Sequence, residues 1–306
     1  MMKINSSTLI HFPGGALSGT ATIIAYKQLA SHPNKLIIIT DATPFHPLDY
    51  NWPDQPSDKG TINIHEKIIP IDNCLIGAVH IKTGEFLVDQ EIKNLKIKRD
   101  DPNWYFVVAH IINADLINTD ELIDKNIQLE VDGTYRLALS KSHTACHLAA
   151  LALNKLTAPF WKKLPEYYDS LGNPDFDKEA LTSSRISEEN SIEHYRCGKT
   201  LRKKGFDSQL FLTENSLTET ELAVNNQLSN WCLDKKGIII SIQSEKAFLH
   251  EVRKWHCVFP DGKEAVIPCG GTHIKAITSR EKIVVNFIKE NDQEFSMVSK
   301  WVAASN

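Results

Sequence analysis

Two segments far apart in the chain each carry two potential metal ligands four residues apart. In the segment 143–147 (HTACH), the two histidines share one face of a helix, because a helical turn takes about 3.6 residues. In the segment 269–273 (CGGTH), two glycines let the backbone fold sharply between a cysteine and a third histidine. Three nitrogens and one sulfur suit Zn²⁺ in a tetrahedral shell. We therefore predict one Zn²⁺ per chain, bound by His143, His147, Cys269 and His273.

The motif alone leaves the role of this metal open. Four protein ligands are typical of a closed structural site, whereas catalysis requires a ligand to leave, a fifth position, or a water molecule beside the metal. Thr144 stands where a zincin protease has its general-base glutamate, which argues against peptide hydrolysis by that mechanism. We interpret Cys146 as an apolar helix residue, because it points to a different face from His147.

The pattern of elements predicts an α+β protein with two domains. Residues 1–130 alternate short β-branched runs with Pro/Gly turns, which favours a small β-barrel-like domain. Residues 131–306 are expected to form a second, α+β domain with an antiparallel sheet. The strands predicted in the first domain are residues 20–26, 36–40, 61–64 and 104–108.

The second domain is predicted to begin with a long helix that contains the segment 143–147. Asp132 is its expected N-cap. A second helix is predicted from residue 217, with Thr218 and Glu221 as a capping box. The polar residues 157–205 are expected to be an insertion or a mobile helical segment. The strands predicted to close the chain are residues 237–242, 263–267 and 282–288.

Composition limits the partners and the compartment. Of the 306 residues, 42% are hydrophobic and 24% are charged, as in a globular protein, and no apolar run approaches the ~18 residues of a membrane span. The start of the chain lacks the apolar core of a signal peptide, so a cytoplasmic location is expected. Because the net charge is −4, any contact with RNA must come from local basic patches, at residues 93–99 and 199–204.

A second group of candidate site residues lies in the Pro-rich stretch 43–60. Its prolines and terminal glycine predict a stiff loop, and such a loop can hold polar side chains in fixed positions. The side chains that it presents are Thr43, Gln55 and Asp58.

Taken together, these motifs resemble the alanyl-tRNA editing proteins of the AlaX type, which are related to the editing domain of alanyl-tRNA synthetase. Arg136 followed by the segment 143–148 is similar to the family's R...HTAxHLL helix, and residues 269–274 are similar to its CGGTHV segment. Residues 43–47 and 55–60 resemble its T-x-F/Y-x-P and QPSDRG loop. The likeness extends over nearly the whole chain.

The resemblance implies a zinc-dependent hydrolase that acts in trans on tRNA-Ala and cleaves the ester to serine or glycine. It implies that the zinc holds the amino group or polarises the ester and its attacking water. It also implies catalytic roles for Thr43 and Gln55, in contact with the small side chain or the terminal ribose. The partner is then the acceptor end of tRNA-Ala; the resemblance says nothing of the oligomeric state.

One segment departs from the family pattern. Residues 49–54 (DYNWPD) replace a glycine run before QPSD, and bulky Tyr50 and Trp52 bring side-chain volume there. The amino acid that is removed therefore stays open. Two alternatives follow: a zinc hydrolase of the same scaffold acting on another aminoacyl ester or tRNA, and a non-catalytic RNA-binding module stapled by its zinc.

Overall fold

The computed structural model describes residues 2, 4–29, 32–120, 122–243, 248–278 and 281–303. Its strands are β1 (Leu9–Ile10), β2 (Ser18–Gln28), β3 (Lys35–Thr40), β4 (Ala42–Thr43), β5 (Gly60–Ile64), β6 (Lys67–His80), β7 (Phe86–Val88), β8 (Trp104–Asn113), β9 (Asn126–Val131), β10 (Leu181–Ile186), β11 (Ser191–Arg196), β12 (Ile238–Gln243), β13 (Lys254–Val258), β14 (Glu264–Pro268), β15 (Ala276–Ile277), β16 (Glu281–Asn291) and β17 (Glu294–Ala303). Its α-helices are α1 (Gln90–Asn94), α2 (Gly133–Thr157), α3 (Phe176–Ala180), α4 (Lys199–Lys203), α5 (Ser208–Phe211) and α6 (Glu214–Cys232). Short 3₁₀ turns cover Phe12–Gly14, Ala114–Leu116 and Ala158–Phe160.

The chain forms an α+β protein with two compact units. The first unit comprises residues 1–136, 244–253 and 270–272, and the second comprises residues 137–243, 254–269 and 273–306. Among the residues that the structure describes, none of the helices combines the length and apolar character that crossing a bilayer demands.

The first unit is built on a closed, six-stranded antiparallel barrel. Its strand order is β5-β9-β2-β3-β8-β6, and a β5–β6 pairing closes it. Strand β3 is buried on both faces, because Leu36 and Ile38 join one apolar cluster while Ile37 and Ile39 join another. This double burial explains its uninterrupted apolar run. The four predicted strands are confirmed within β2, β3, β5 and β8.

Helix α2 begins where its predicted N-cap places it. The Asp132 Oδ1 atom accepts hydrogen bonds of 3.0 Å from the backbone N–H groups of Thr134 and Tyr135. These bonds satisfy two amides that have no partner within the first helical turn. The helix continues for 25 residues and stops at Thr157, two residues before Pro159.

The second unit contains two antiparallel four-stranded sheets, ordered β10-β11-β17-β16 and β14-β13-β12-β15. Its apolar core brings Leu148 and Leu151 of α2 into one cluster with Trp255 of β13 and Phe295 of β17. The three closing strands predicted from the sequence are confirmed as β12, β14 and β16, although β12 and β14 each begin one residue later than predicted.

The predicted start of the second helix is wrong. Helix α6 begins at Glu214, and Thr213 is its N-cap, accepting a bond from the Ser216 N–H at 3.3 Å. Thr218 therefore lies inside the helix. Glu221 does not close a capping box; its carboxylate accepts a 2.6 Å bond from the Phe287 N–H. The capping-box pattern was local, whereas Glu221 finds its partner in strand β16.

Residues 157–205 are not one helical segment. They include the hairpin β10–β11, and β11 pairs with β17 along its length. Ser191, Glu193 and Tyr195 are the buried positions of β11. Two of these three inward residues are polar, which hid the alternation that normally identifies a half-buried strand.

Candidate metal centre

All four predicted ligands meet in the second unit. The ligand atoms of His143, His147, Cys269 and His273 lie within 4.8 Å of one another, so this cluster could hold a metal ion. Helix α2 supplies the two histidines one turn apart, and their ring centroids are separated by 4.9 Å. Cys269 directly follows β14. The i, i+4 spacing thus produces the shared helix face that the sequence predicts.

Two of the three imidazoles, those of His143 and His273, approach the Cys269 thiol through their Nε2 atoms. Cys269 Sγ lies 3.5 Å from Nε2 of His143 and 3.3 Å from Nε2 of His273. The third imidazole, His147, has its Nε2 atom buried without a hydrogen-bond partner in the part of the chain that is described. A buried imidazole nitrogen without a partner is costly in a folded protein, and binding a cation removes that cost.

Burial keeps the helix histidines neutral. It lowers the pKa of His143 to about 3. Burial is also the main reason that the pKa of His147 lies well below its usual range, and the repulsion that two protonated rings would exert on each other adds to it. A neutral imidazole has a lone pair for a metal at pH 7, whereas an imidazolium does not.

Thr144 determines which nitrogen of His273 carries the proton. The Thr144 hydroxyl donates its one hydrogen to the Ser140 carbonyl oxygen at 2.7 Å. In the 3.2 Å contact between Thr144 Oγ1 and His273 Nδ1, the hydroxyl oxygen is therefore the acceptor and the Nδ1–H group is the donor. Nε2 of His273 then keeps its lone pair and faces Cys269 Sγ. The residue that replaces a zincin's glutamate thus orients a ligand, in the way that carboxylates and carbonyls orient metal-binding histidines.

Thr43, predicted as catalytic, lies in the barrel unit and is 1% exposed. Burial lowers the pKa of His110 to about 4, so the ring is neutral at pH 7 and carries one N–H. His110 Nδ1 lies 3.1 Å from the Ile38 carbonyl oxygen, which can only accept, so Nδ1 carries that proton. His110 Nε2 therefore accepts the 2.8 Å hydrogen bond from the Thr43 hydroxyl. The Thr43 hydroxyl also accepts from the Phe45 N–H at 3.1 Å. Its single proton is therefore already committed.

Gln55, the other predicted catalytic residue, binds Thr272 at two points within the barrel unit. Its amide nitrogen donates to Thr272 Oγ1 at 2.8 Å, and its amide oxygen accepts from the Thr272 N–H at 2.9 Å. Thr272 directly precedes the ligand His273 in the chain. Gln55 thus restrains a residue of the segment that separates the two ligands Cys269 and His273.

Asp58 is a structural clamp. It accepts a bidentate pair of hydrogen bonds from Arg136, whose Nε lies 2.6 Å from Oδ1 and whose Nη2 also contacts Oδ2. Arg136 donates further to the Pro44 carbonyl at 2.9 Å. Both side chains are almost fully buried. The pair therefore ties the loop 44–58 to the first turn of α2, and Asp58 has little capacity left for a substrate.

The two aromatic residues of the segment 49–54 lie in different environments. Tyr50 is 1% exposed and belongs to the barrel core, whereas Trp52 is 65% exposed. Asp49 forms an ion pair with Arg99, whose Nη1 also donates to the Leu249 carbonyl at 3.2 Å. Arg99 is consequently not free to serve in the basic patch predicted at residues 93–99.

Comparison with models of known protein families and with curated proteins finds no match to this chain.

Two contacts made by the candidate site residues were not predicted from the sequence. They are the orientation of His273 by Thr144 and the hydrogen bond between Thr43 and His110. Position 144 marked an absent glutamate, and His110 was one polar residue in an apolar strand. Neither pattern indicates a partner, because both partners are distant in sequence.

Proposed function

We propose that the protein is a zinc-dependent hydrolase that removes serine from mischarged tRNA-Ala in trans, with glycine as a second candidate substrate. The observation that carries this proposal is the meeting of three imidazoles and one thiol in the second unit, together with the absence of a protease-type glutamate at Thr144. The motif resemblance supplies the substrate class.

The donor set fits zinc. With a Zn–S bond of roughly 2.3 Å and a Zn–N bond of roughly 2.0 Å, a tetrahedral angle separates sulfur and nitrogen by about 3.5 Å. The Cys269 Sγ to Nε2 distances of 3.5 and 3.3 Å agree with this separation. Magnesium and calcium prefer oxygen ligands, which this cluster does not offer.

Bound zinc would supply Lewis-acid polarisation of the ester, or an anchor for the amino group. The chain's own residues supply orientation: Thr144 holds His273 in the required tautomer, and Gln55 restrains Thr272. We retain Thr43 and Gln55 as proposed substrate contacts. Because Thr43 donates its proton to His110, its oxygen meets a serine hydroxyl only as an acceptor. Such a contact favours serine over alanine, which has no hydroxyl to donate.

Contact with tRNA is proposed for helix α4. Lys199, Arg202 and Lys203 are all exposed there. Changing these three to glutamine is expected to weaken tRNA binding and to flatten its salt dependence, because each lost phosphate contact removes about one unit of slope. Residues Lys93, Lys96 and Lys98, also exposed, provide a matched triple substitution. If the substitutions at Lys93, Lys96 and Lys98 weaken tRNA binding more than those in helix α4, the RNA contact lies at residues 93–99.

The proposed activity is tested with tRNA-Ala charged with serine, glycine or alanine. The zinc-loaded protein is expected to deacylate the seryl form and to spare the alanyl form. His147→Ala is expected to abolish the reaction, because it removes one of the four ligands. His194→Ala is the matched control, since this exposed histidine bonds to Ser296 at 2.7 Å and is not a ligand.

The other outcomes separate the alternatives. Tight tRNA binding with no deacylation of any charged form, and unfolding of His147→Ala, would indicate a structural zinc in an RNA-binding module. Hydrolysis of simple aminoacyl esters without activity on charged tRNA-Ala would indicate a different substrate. Purification without bound metal, and no uptake of added zinc, would refute the proposed centre itself.

A further inference from the structure

Two neighbouring aromatic rings in the second unit each have a buried nitrogen without a hydrogen-bond partner among the described residues. One is Nε2 of His147 and the other is the indole Nε1 of Trp255. The centroids of these two rings are 5.0 Å apart, and the indole centroid is 6.0 Å from that of His273. Trp255 is 0% exposed and belongs to the core of the second unit, so its N–H does not face bulk solvent.

The two nitrogens have opposite requirements. The imidazole Nε2 of His147 offers a lone pair, which a metal ion satisfies. An indole N–H is a donor only, so it cannot bind a metal and needs an acceptor atom. The two groups do not bond to each other, since both remain without a partner in the described structure. Leaving a buried donor unsatisfied is costly, and buried indole N–H groups usually have a partner.

We propose that the indole N–H of Trp255 donates a hydrogen bond to an oxygen atom of the molecule bound at the metal centre. In the proposed deacylation, this oxygen is the carbonyl oxygen of the aminoacyl ester. Only that last identification rests on the proposed function. Strand pairing holds the backbone of Trp255 between Ile242 of β12 and Ile267 of β14, and full burial in the core restrains its indole ring. A donor held in place before binding pays little reorganisation cost.

Trp161 provides a matched control within the same unit. Its Nε1 atom is also buried and unpartnered in the described part of the chain, but its ring packs edge-on against Phe206 at 5.3 Å. A change in the indole N–H signal that arises from burial alone is expected at both tryptophans. A change that arises from a ligand at the metal centre is expected only at Trp255.

The experiment is NMR of ¹⁵N-indole-labelled, zinc-loaded protein, which has six tryptophans. Trp255→Phe and Trp161→Phe assign the two signals, so the measurement itself uses the unaltered chain. The probes are acetate, and adenosine with serine joined by a 3′-amide that is not hydrolysed. Each probe is expected to move the Trp255 proton downfield and to slow its exchange with water about tenfold. The Trp161 signal is expected to stay unchanged. Cobalt-loaded protein reports independently, by its visible spectrum, whether the probe reaches the metal.

The outcomes separate this inference from the proposed function. If either probe changes the cobalt spectrum while the Trp255 signal stays in place, the inference is wrong and the proposed function is untouched. If acetate moves the Trp255 signal and the serine amide does not bind, the inference holds and the proposed substrate is wrong. If neither probe changes the cobalt spectrum up to its solubility limit, the centre accepts no oxygen ligand and the inference is wrong.

Discussion

Replacing Thr144 with valine tests whether a hydroxyl on the helix orients a metal ligand. Valine keeps the branched shape and removes the oxygen. That oxygen donates to the Ser140 carbonyl at 2.7 Å, accepts from His273 Nδ1 at 3.2 Å and lies 3.4 Å from the Ile274 N–H. Without it, the His273 ring is free to rotate or to change tautomer, and its Nδ1–H loses its acceptor.

The expected loss follows from the bonds involved. A neutral hydrogen bond contributes about 0.5–1.5 kcal/mol, and the bond to His273 and the weaker contact with Ile274 are the two at stake for the metal. Losing a residue that orients a ligating histidine typically weakens metal binding by about 10–100-fold, or ~1.4–2.7 kcal/mol. These two ranges overlap. We therefore expect zinc to bind Thr144→Val at least about tenfold more weakly.

Thr157→Val is the matched control. Thr157 is on the same helix, is equally buried, and donates to the Leu153 carbonyl at 2.8 Å in the same i to i−4 geometry. Zinc affinity is measured by competition with a chromophoric chelator, and the stability of each metal-free variant by urea unfolding. Equal zinc affinities for the two variants would refute the orienting role of Thr144. A loss of affinity accompanied by an equal loss of metal-free stability would assign the effect to folding.

Three further predictions concern stability. Burial raises the pKa of Glu193 to about 8, so between pH 5 and 8 the native state holds a proton that the unfolded chain has lost, and stability falls as the pH rises. Glu193→Gln is expected to reduce this slope by up to about 1.4 kcal/mol per pH unit in urea titrations, whereas the exposed Glu189→Gln leaves it unchanged. Gly237→Ala is expected to destabilise more than Gly262→Ala: both have positive φ, but an added Cβ meets a backbone carbonyl at 2.6 Å only at Gly237. Equal unfolding midpoints would contradict that contact. Removing the metal with a chelator is expected to lower the melting temperature, and one equivalent of zinc to restore it; an unchanged melting curve would mean that the folded state gains nothing from the ion.

The sequence-based predictions were accurate where the interactions that stabilise an element come from residues close to it in the chain. Helix α2 was predicted because Asp132 caps it within its own first turn. Strand β3 was predicted because its buried residues are consecutive in the chain. Strand β11 was missed, because its buried Glu193 and Ser191 are stabilised by polar partners in other segments, among them Ser299. The start of α6 was misplaced for a similar reason, since Glu221 serves β16 and not its own helix.

The sequence by itself determined the chemistry of the centre. Spacings of four residues put two imidazoles on one helix face and a thiol near a third imidazole, and neither requires knowledge of the fold. Only the tertiary structure decided how those groups are held. Thr144 orients His273 across a separation of 129 residues, and the indole of Trp255 comes to lie beside His147 through the packing of the core. Such contacts depend on which strands and helices pack together, and no local pattern in the chain encodes that packing.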